Sequence, residues 1–525
     1  MVQKNNFILG DIFAVKEKGL DYLIENYYWP VSNKEFKEFV NFSHGEYLKI
    51  INSIDDKDVR NIAIVELSFV AQLQQILHYN YIKNSVNNDL KLVTSQSSQE
   101  FYHPNWELIS QYYISLNPVF GMVRRFLRRI IKNILFNRHL SIGDYIHNFI
   151  HGSDVIGVGS FDNLKREFII NKNIFCDHMD WIDLYSKKIT DSDSKLVNIR
   201  RIIKHEIVAP YLNKLKNTNS KFTDNIDFTL IQKSWDKRFS DAAYIYLNVL
   251  KNKKKSVVLV VEIAKPIHKL ITVAYQEMGS SVYCFHHGHD TAVTINSVGH
   301  DITSAHCLKY VVPSRGIATK YKKVYPHLTT KYFSTESNWY KQISQKYLYK
   351  PSYKINKIML MGFPFNSTRY VDGESNFFYS RVDLEYRLIV FLKKNGYSVI
   401  YKAHPDRLSE ANGLYDSIVD EIISESFESV ANSVDCFLFT HSSTTTFGYA
   451  LLTNKPIFLI DIDSNVVDRK SHDLLKKRVD MVPSFVIEST RIIFDEQSML
   501  NALSKPTNNK YDDSYIRKMF FPDKI

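Results

Sequence analysis

From about residue 250, short apolar runs alternate with amphipathic stretches, and this alternation limits the folds available to the chain. Ser256–Glu262 contains the unbroken run Val-Val-Leu-Val-Val, which is typical of a parallel strand buried on both faces. Arg381–Asn395, closed by Gly396, has the pattern of an amphipathic helix. Strand–helix alternation gives right-handed crossovers and parallel sheets, so the pattern predicts an α/β fold. Further strands are predicted at residues 281–285, 310–312, 357–361, 397–402, 435–440 and 456–460, with a helix at 446–452.

The alternating elements form two series. With 525 residues, the chain exceeds what one hydrophobic core normally supports. Residues 337–356 lack periodicity and separate the series, so we predict a first domain at 1–350 and a second at 351–525. Within the first, residues 1–150 have mainly helical patterns and the α/β core lies toward 250–335. Two facing domains of this kind leave a cleft lined by the carboxyl ends of their strands, where open α/β sheets bind ligands.

Composition restricts the class of partner. No apolar run is long enough to span a membrane and no secretory signal is recognisable, so a soluble cytoplasmic protein is expected. Four scattered cysteines form neither a disulfide framework nor a paired metal motif and are expected to be reduced. The net charge of +11 indicates an anionic partner, such as a nucleotide sugar or a phospholipid surface. Nucleic acid is not expected, because no nucleic-acid-binding motif is present.

The first candidate site segment is a histidine-rich turn after the strand at 281–285. Residues 285–290 read Phe-His-His-Gly-His-Asp. Imidazole can act as a general base near neutral pH or as a cation beside phosphate, and the glycine lets a ligand approach the backbone. The spacing matches no standard metal-ligand set, so no metal is expected. A surface turn without function is the alternative interpretation.

The second segment follows the strand at 397–402 and reads Lys402-Ala-His404-Pro-Asp-Arg407. Proline disfavours a helical conformation in the residue before it, so His404 is directed from the strand end. Three cationic side chains here can neutralise a phosphate leaving group. A turn with solvated charges is the alternative.

The third segment lies between the strand at 435–440 and the helix at 446–452, and includes Ser442, Ser443 and Thr444. Hydroxyls and free backbone N–H groups at a helix N-terminus can bind an anion. The same residues also cap helices, and the two roles are compatible.

Taken in order, these motifs resemble the bacterial surface-polysaccharide transferases of GT-B architecture. Over about residues 256–465 the order is His-Gly, Gly-Phe-Pro, Lys-x-His-Pro, Ser-Ser and Lys-Pro-Ile. One similar branch comprises the CDP-glycerol glycerophosphotransferases that make teichoic acid. The other comprises capsular Kdo transferases and bacterial sialyltransferases, which use CMP-sugars. The sequence departs from the first branch at His286, where tryptophan is usual, and at His441, where tyrosine is frequent.

The resemblance implies two facing Rossmann-type domains, with the nucleotide on the second and the acceptor on the first. As the donor bond breaks, cationic and hydroxyl groups stabilise charge on the leaving phosphate. His287 is expected to deprotonate the acceptor hydroxyl, with Glu262 as the competing base. No cofactor is expected. The expected donor-site residues are Gly362, Lys402, His404, Arg407, Ser442, Ser443 and Thr444.

Three functions remain open. The first is a glycosyltransferase that moves a sugar from a nucleotide-activated donor, expected to be a CMP-sugar, to a cell-surface polysaccharide or lipid-linked acceptor. The second is polyol-phosphate transfer from a CDP-glycerol-type donor, in which phosphate travels with the alcohol and CMP leaves. The third is a non-catalytic subunit that binds a glycan or a membrane-bound assembly.

Residues 123–135, outside the resemblance, combine apolar positions at helical spacing with a basic side. A basic amphipathic helix can lie on an anionic membrane, which suits an acceptor held on a lipid carrier and places the protein peripherally at the inner face of the membrane. The alternative is a helix whose apolar face lies in the core. The basic residues are Arg124, Arg125, Arg128, Arg129 and Lys132.

Overall fold

The computed structural model contains two parallel sheets and a mainly helical N-terminal region, which confirms the predicted α/β class. The structure describes residues 6–87, 90–94, 122–160, 162–179, 184, 189–218, 220–261, 265–286, 292–293, 295, 297–335, 337, 354–362, 377–404, 408–462, 469–487, 490–505 and 512–521. Within these residues, no helix has the length and hydropathy needed to cross a membrane.

The strands are β1 (Asn6–Leu9), β2 (Leu90–Val93), β3 (Val155–Val158), β4 (Asp177–Met179), β5 (Val257–Val260), β6 (Ser281–Phe285), β7 (Lys309–Val312), β8 (Lys331–Ser334), β9 (Lys357–Met361), β10 (Ser398–Lys402), β11 (Glu421–Ile423), β12 (Cys436–Phe439), β13 (Ile457–Asp461), β14 (Asp480–Ile487) and β15 (Arg491–Phe494). β1 and β2 form a separate parallel pair.

The α-helices are Ile12–Lys18, Leu20–Glu25, Asn33–Asn52, Lys57–Val65, Leu67–Asn84, Met122–Phe136, Ile142–His151, Asn163–Lys172, Ser194–Ile202, Ala209–Lys216, Phe228–Leu250, Pro266–Glu277, Ser297–Ser304, Arg315–Val324, Phe377–Lys394, Leu408–Ala411, Phe427–Val430, Thr445–Leu451, Arg469–Leu475, Glu496–Ser504 and Ser514–Phe520. A π-helical turn at Ile203–Val208 joins two of them, and a 3₁₀ turn covers Ala431–Ser433.

Six parallel strands form the first sheet in the order β4-β3-β5-β6-β7-β8. The chain runs outward from β3 to β4, then returns and continues in the opposite direction from β5 to β8. The strand order therefore reverses between β3 and β5. Gly159, directly after β3, has φ 95°, and a Cβ there would lie 2.7 Å from the Val261 carbonyl oxygen. A glycine is needed for the ends of these two strands to lie side by side.

The second sheet has the order β11-β10-β9-β12-β13-β14-β15. Its pairs are parallel except for the terminal β14–β15 pair, which is antiparallel. β9, β10 and β11 run outward in one direction, whereas β12, β13 and β14 run outward in the other. The order therefore reverses between β9 and β12, and these two strands lie in the interior of the sheet.

Contacts from both ends of the chain cross between the two sheets. The helix Ser514–Phe520 packs on Arg315–Val324, and Ser314 Oγ donates a hydrogen bond to the Met519 carbonyl. Near the N-terminus, Lys16 donates to the carbonyls of Ser409 and Asn412, both at 2.6 Å. Further along the N-terminal region, the helix Lys57–Val65 packs instead on Pro266–Glu277, next to the first sheet.

The helix Met122–Phe136 turns its polar side toward the edge of the first sheet. Arg129 pairs with Asp177 of β4, and Asn133 donates to the same carboxylate at 3.0 Å. Leu127, Ile131 and Ile134 are instead 53%, 57% and 48% exposed. The alternative interpretation, in which the apolar face of this helix lies in the core, is therefore wrong for these three side chains.

Candidate functional site

The point at which the second sheet reverses its strand order brings two of the predicted segments together. Ligands of open α/β sheets bind outside the carboxyl ends of the strands at such a point. Met361, the last residue of β9, pairs in register with Lys402 of β10 on one side and with Phe439 of β12 on the other. The segments that start at Lys402 and Thr440 therefore flank the end of the same strand.

Lys402 and His404 lie at the end of β10. Lys402 is 6% exposed, and its Nζ donates to the Ala403 carbonyl at 2.8 Å. Burial lowers the pKa of Lys402, while Glu425 and Glu428 raise it. His404 is half-buried two residues further on. Among the contacts described for Lys402 Nζ, the hydrogen-bond acceptor is a backbone carbonyl, which carries no net charge. A phosphate that reaches this edge therefore meets a positively charged ammonium group.

The serine- and threonine-rich segment follows β12. Ser442 is half-buried and Ser443 is exposed. The Thr444 hydroxyl accepts a hydrogen bond from the Thr446 amide at 3.4 Å and so caps the helix Thr445–Leu451. Helix capping thus occupies Thr444, and the two serines before it lie in the loop between β12 and this helix.

Beneath this edge, the helix Phe377–Lys394 supplies two buried groups that the sequence did not predict as site residues. Arg381 donates to the Thr440 carbonyl. Glu385, one turn further on, accepts from Tyr401 Oη at 2.8 Å and from Thr440 Oγ1 at 3.4 Å. Burial and the nearby Glu385 hold the pKa of Tyr401 well above its usual value. Arg381 and Glu385 thus link the ends of β10 and β12. The sequence did not predict them as site residues because they look like ordinary charged residues of an amphipathic helix.

Gly362 also lies at this edge, and close packing against Tyr401 explains why a glycine occupies this position. A Cβ at Gly362 would lie 2.4 Å from Tyr401 Oη, and the Gly362 amide donates to the Lys402 carbonyl at 3.0 Å. The missing side chain leaves room for the Tyr401 ring to reach Glu385.

Three predicted site residues, His287, Glu262 and Arg407, lie outside the described residues. The residues next to the first two are described. The His286 amide, after β6, donates to the Val311 carbonyl at 3.0 Å. Val261, at the end of β5, accepts a hydrogen bond from His268 Nδ1 at 2.9 Å.

Lys320 links the loop after β6 to the second domain. Its Nζ donates to the Ala292 carbonyl in that loop and, at 2.8 Å, to Ser471 Oγ on the helix Arg469–Leu475. The neighbouring His472 Nε2 lies 3.2 Å from Asp461 Oδ2 at the end of β13. The loop that carries the histidine-rich turn is therefore connected to a helix next to the second sheet. No motif in the sequence indicated Lys320, Asp461 or His472.

These features define a two-domain α/β protein in which each sheet reverses its strand order once and polar groups gather at the reversal point of the second. No protein-family model matches the chain, and no curated protein matches it in sequence.

Solved structures give distant likenesses. The UDP-GlcNAc 2-epimerase of Methanocaldococcus jannaschii, in complex with UDP-GlcNAc and UDP, is 10% identical and has a TM-score of 0.35, covering 70% of this chain and 98% of its own. One variant of the wall teichoic acid polymerase TagF is 11% identical with a TM-score of 0.30, covering 76% of this chain and 92% of its own. A second is 12% identical with a TM-score of 0.29, covering 77% and 94%. Likeness at this level assigns no activity to the chain.

Proposed function

We propose that this protein is a glycosyltransferase that binds a nucleotide-activated donor, a CMP-sugar, at the carboxyl edge of the second sheet. The observation that carries the proposal is the register of Met361 between Lys402 and Phe439. This register brings the segments that begin at Lys402 and Thr440 to either side of one strand end, and we infer that an ammonium group, an imidazole and two serine hydroxyls face the donor there. This is the set of donors that stabilises negative charge as a phosphate leaves.

In this proposal His404, Lys402 and Ser442 contact the leaving phosphate, and Arg407 adds a further cation. The acceptor, a surface polysaccharide or a lipid-linked glycan, binds on the first domain. His287 takes the proton from its hydroxyl, with Glu262 as the competing base. The link from Lys320 to the loop after β6 supports an acceptor side near the donor edge.

A donor screen tests the proposal. The protein is incubated with CMP-sugars, UDP-sugars and CDP-glycerol, and release of CMP or UDP is measured. We expect CMP release from a CMP-sugar and a loss of at least tenfold in kcat/KM for His404→Gln, because the imidazole acts on the leaving group. His147→Gln, an exposed histidine on the helix Ile142–His151, is the matched control and should keep full turnover.

The other two functions give different results in the same screen. With CDP-glycerol labelled in the phosphate next to glycerol, transfer of the label to polymer would instead identify a polyol-phosphate transferase. A non-catalytic subunit would release no nucleotide and would show no donor-dependent rise in thermal stability.

We also infer that the helices Met122–Phe136 and Ile142–His151 rest on an anionic lipid bilayer. Their exposed apolar residues recur at helical spacing, so each helix presents one apolar face to solvent. Groups of exposed apolar residues of this kind mark interaction surfaces, whereas isolated exposed apolar residues do not. The exposed Arg138 between the helices and the net charge of +11 complement anionic headgroups. The apolar residues are Leu127, Ile131, Ile134, Ile142, Ile146 and Ile150.

A further inference from the structure

A group of soft metal-ligand atoms lies inside the first domain, and the proposed transfer reaction makes no use of it. Cys284 is on β6, while His306 and Cys307 precede β7. All three side chains are buried, and one ligand atom from each lies within 4.8 Å of the other two. His306 Nε2 and Cys307 Sγ are 3.3 Å apart. Because Cys284 and His306 lie 22 positions apart in the chain, the sequence showed no paired motif.

The helix Pro266–Glu277 holds these ligands in place. Gln276 donates from its side-chain amide to the His306 carbonyl at 2.9 Å and accepts from the Leu308 amide at 2.8 Å. One turn earlier, the Thr272 hydroxyl lies 3.7 Å from Cys284 Sγ. Backbone on both sides of Cys307 is therefore fixed by one side chain, which is the support that orients ligands in metal sites.

The burial of the group suits thiolates bound to a cation. Cys284 and Cys307 are 0% and 1% exposed, and His306 is 4% exposed. Metal binding displaces both thiol protons, and the cation and the thiolates then neutralise each other inside the protein.

We propose that Cys284, His306 and Cys307 bind one thiophilic d¹⁰ cation, Zn²⁺ or Cu⁺. Thiolate and imidazole ligands select these two metals. Tetrahedral zinc, with bonds of about 2.3 Å to sulfur and about 2.0 Å to nitrogen, separates the two ligand atoms by roughly 3.5 Å. The observed spacing of 3.3 Å needs only a small expansion. A surface cavity of about 250 Å³ is lined in part by Val273, Gln276 and His306, so it lies next to one of the three ligand residues.

Metal content measures the proposal directly. The protein is equilibrated with Zn²⁺, or with Cu⁺ under reducing conditions, then dialysed against a weak chelator and analysed by inductively coupled plasma mass spectrometry. We expect one equivalent of one of the two metals in the wild type and less than a tenth of that in Cys284→Ser and Cys307→Ser. Cys176→Ser and Cys436→Ser are matched controls, because both cysteines are buried elsewhere, and they should retain the full equivalent.

A second readout does not depend on any variant folding. Co²⁺ added to the wild type should produce sulfur-to-cobalt charge-transfer absorption in the near ultraviolet, which Zn²⁺ then displaces, or which pre-loading with Cu⁺ prevents. Retention of whichever metal binds identifies the cation. The proposal would be overturned if the wild type retained a full equivalent of neither Zn²⁺ nor Cu⁺. Equal metal retention by Cys284→Ser and Cys176→Ser would overturn it as well. Because neither measurement uses a nucleotide donor, the result is independent of whether the proposed transferase activity is found.

Discussion

The Arg129 guanidinium and the Asp177 carboxylate form a two-point ion pair, with hydrogen bonds of 2.6 and 3.2 Å, between the helix Met122–Phe136 and the edge strand β4. Because Arg129 and Asn133 face β4 in this contact, Leu127, Ile131 and Ile134 face solvent. The pair thus decides the orientation of a surface for which the sequence left two possibilities open.

The double substitution Ile131→Asp with Ile146→Asp should weaken binding to anionic vesicles at least tenfold. Both side chains are more than half exposed, at 57% and 51%, and burying each in lipid contributes roughly 1.5–3 kcal/mol. The effect is measured by flotation in two separate experiments, one with anionic phosphatidylglycerol vesicles and one with neutral phosphatidylcholine vesicles. Val197→Asp, 52% exposed on the helix Ser194–Ile202, is the matched control. A wild type that floats with neither vesicle, or a control that loses as much binding, contradicts the membrane inference.

Gly362→Ala should destabilise the second domain by about 1–3 kcal/mol, the usual range for overpacking. The added Cβ meets Tyr401 Oη at 2.4 Å and displaces the ring from Glu385. Urea unfolding followed by tyrosine fluorescence gives the change in free energy. Gly45→Ala is the control, since no atom lies within 4 Å of a Cβ placed there and alanine favours the helix Asn33–Asn52. Equal stability of the two variants would show that Tyr401 moves aside without cost.

Stability should fall as the pH is lowered from 6.5 to 5, and His78→Gln should reduce this slope. Burial lowers the pKa of His78 to about 3, and Trp29 Nε1 donates to its neutral Nε2 at 3.4 Å. In the unfolded chain His78 is therefore protonated as the pH falls through about 6.5, whereas in the folded chain it stays neutral down to about pH 3. Each such histidine contributes about 1.4 kcal/mol per pH unit within that window, and this contribution is complete above pH ~6.5.

Denaturant titrations at several pH values measure this slope for wild type and His78→Gln. The exposed histidine of His147→Gln serves as the control and should leave the slope unchanged. If His78→Gln and wild type lose stability in parallel between pH 6.5 and 5, His78 does not remain neutral in the folded protein.

Lys320→Met should loosen the connection between the loop after β6 and the second domain. Methionine keeps much of the length of the side chain but donates no hydrogen bond to Ala292 or Ser471. Hydrogen exchange should accelerate both in residues 297–304 and in the helix Arg469–Leu475, and stability should fall by about 1–3 kcal/mol. Lys322→Met, exposed on the same helix, should change neither. Faster exchange in only one of the two segments would show that Lys320 does not couple them.

The sequence by itself determined most of the interior strands of both sheets. β5, β6, β9, β10, β12 and β13 are apolar runs because strands buried on both faces have no polar side, and all six lie where the pattern predicts them. β3, β4, β8 and β11 were not predicted, since strands of three or four residues carry too little periodicity. The β14–β15 pair was not predicted either, and Pro483 interrupts the strand pattern of β14. The positions of Lys402 at a strand end and of His404, Ser442 and Ser443 just beyond strands were also evident from the sequence, whereas their functional roles remain predictions.

Only the tertiary structure decided which strand ends are neighbours. The adjacency of Lys402, Met361 and Phe439 depends on the order of β10, β9 and β12, which no local pattern encodes. Likewise, Arg381 and Glu385 resemble surface charges in the sequence, and they are buried because the helix that carries them packs on β10 and β15 and contacts Thr440. Local propensity and periodicity set the elements, but pairing, register and burial arise from contacts between distant residues, and the proposed donor site consists of such contacts.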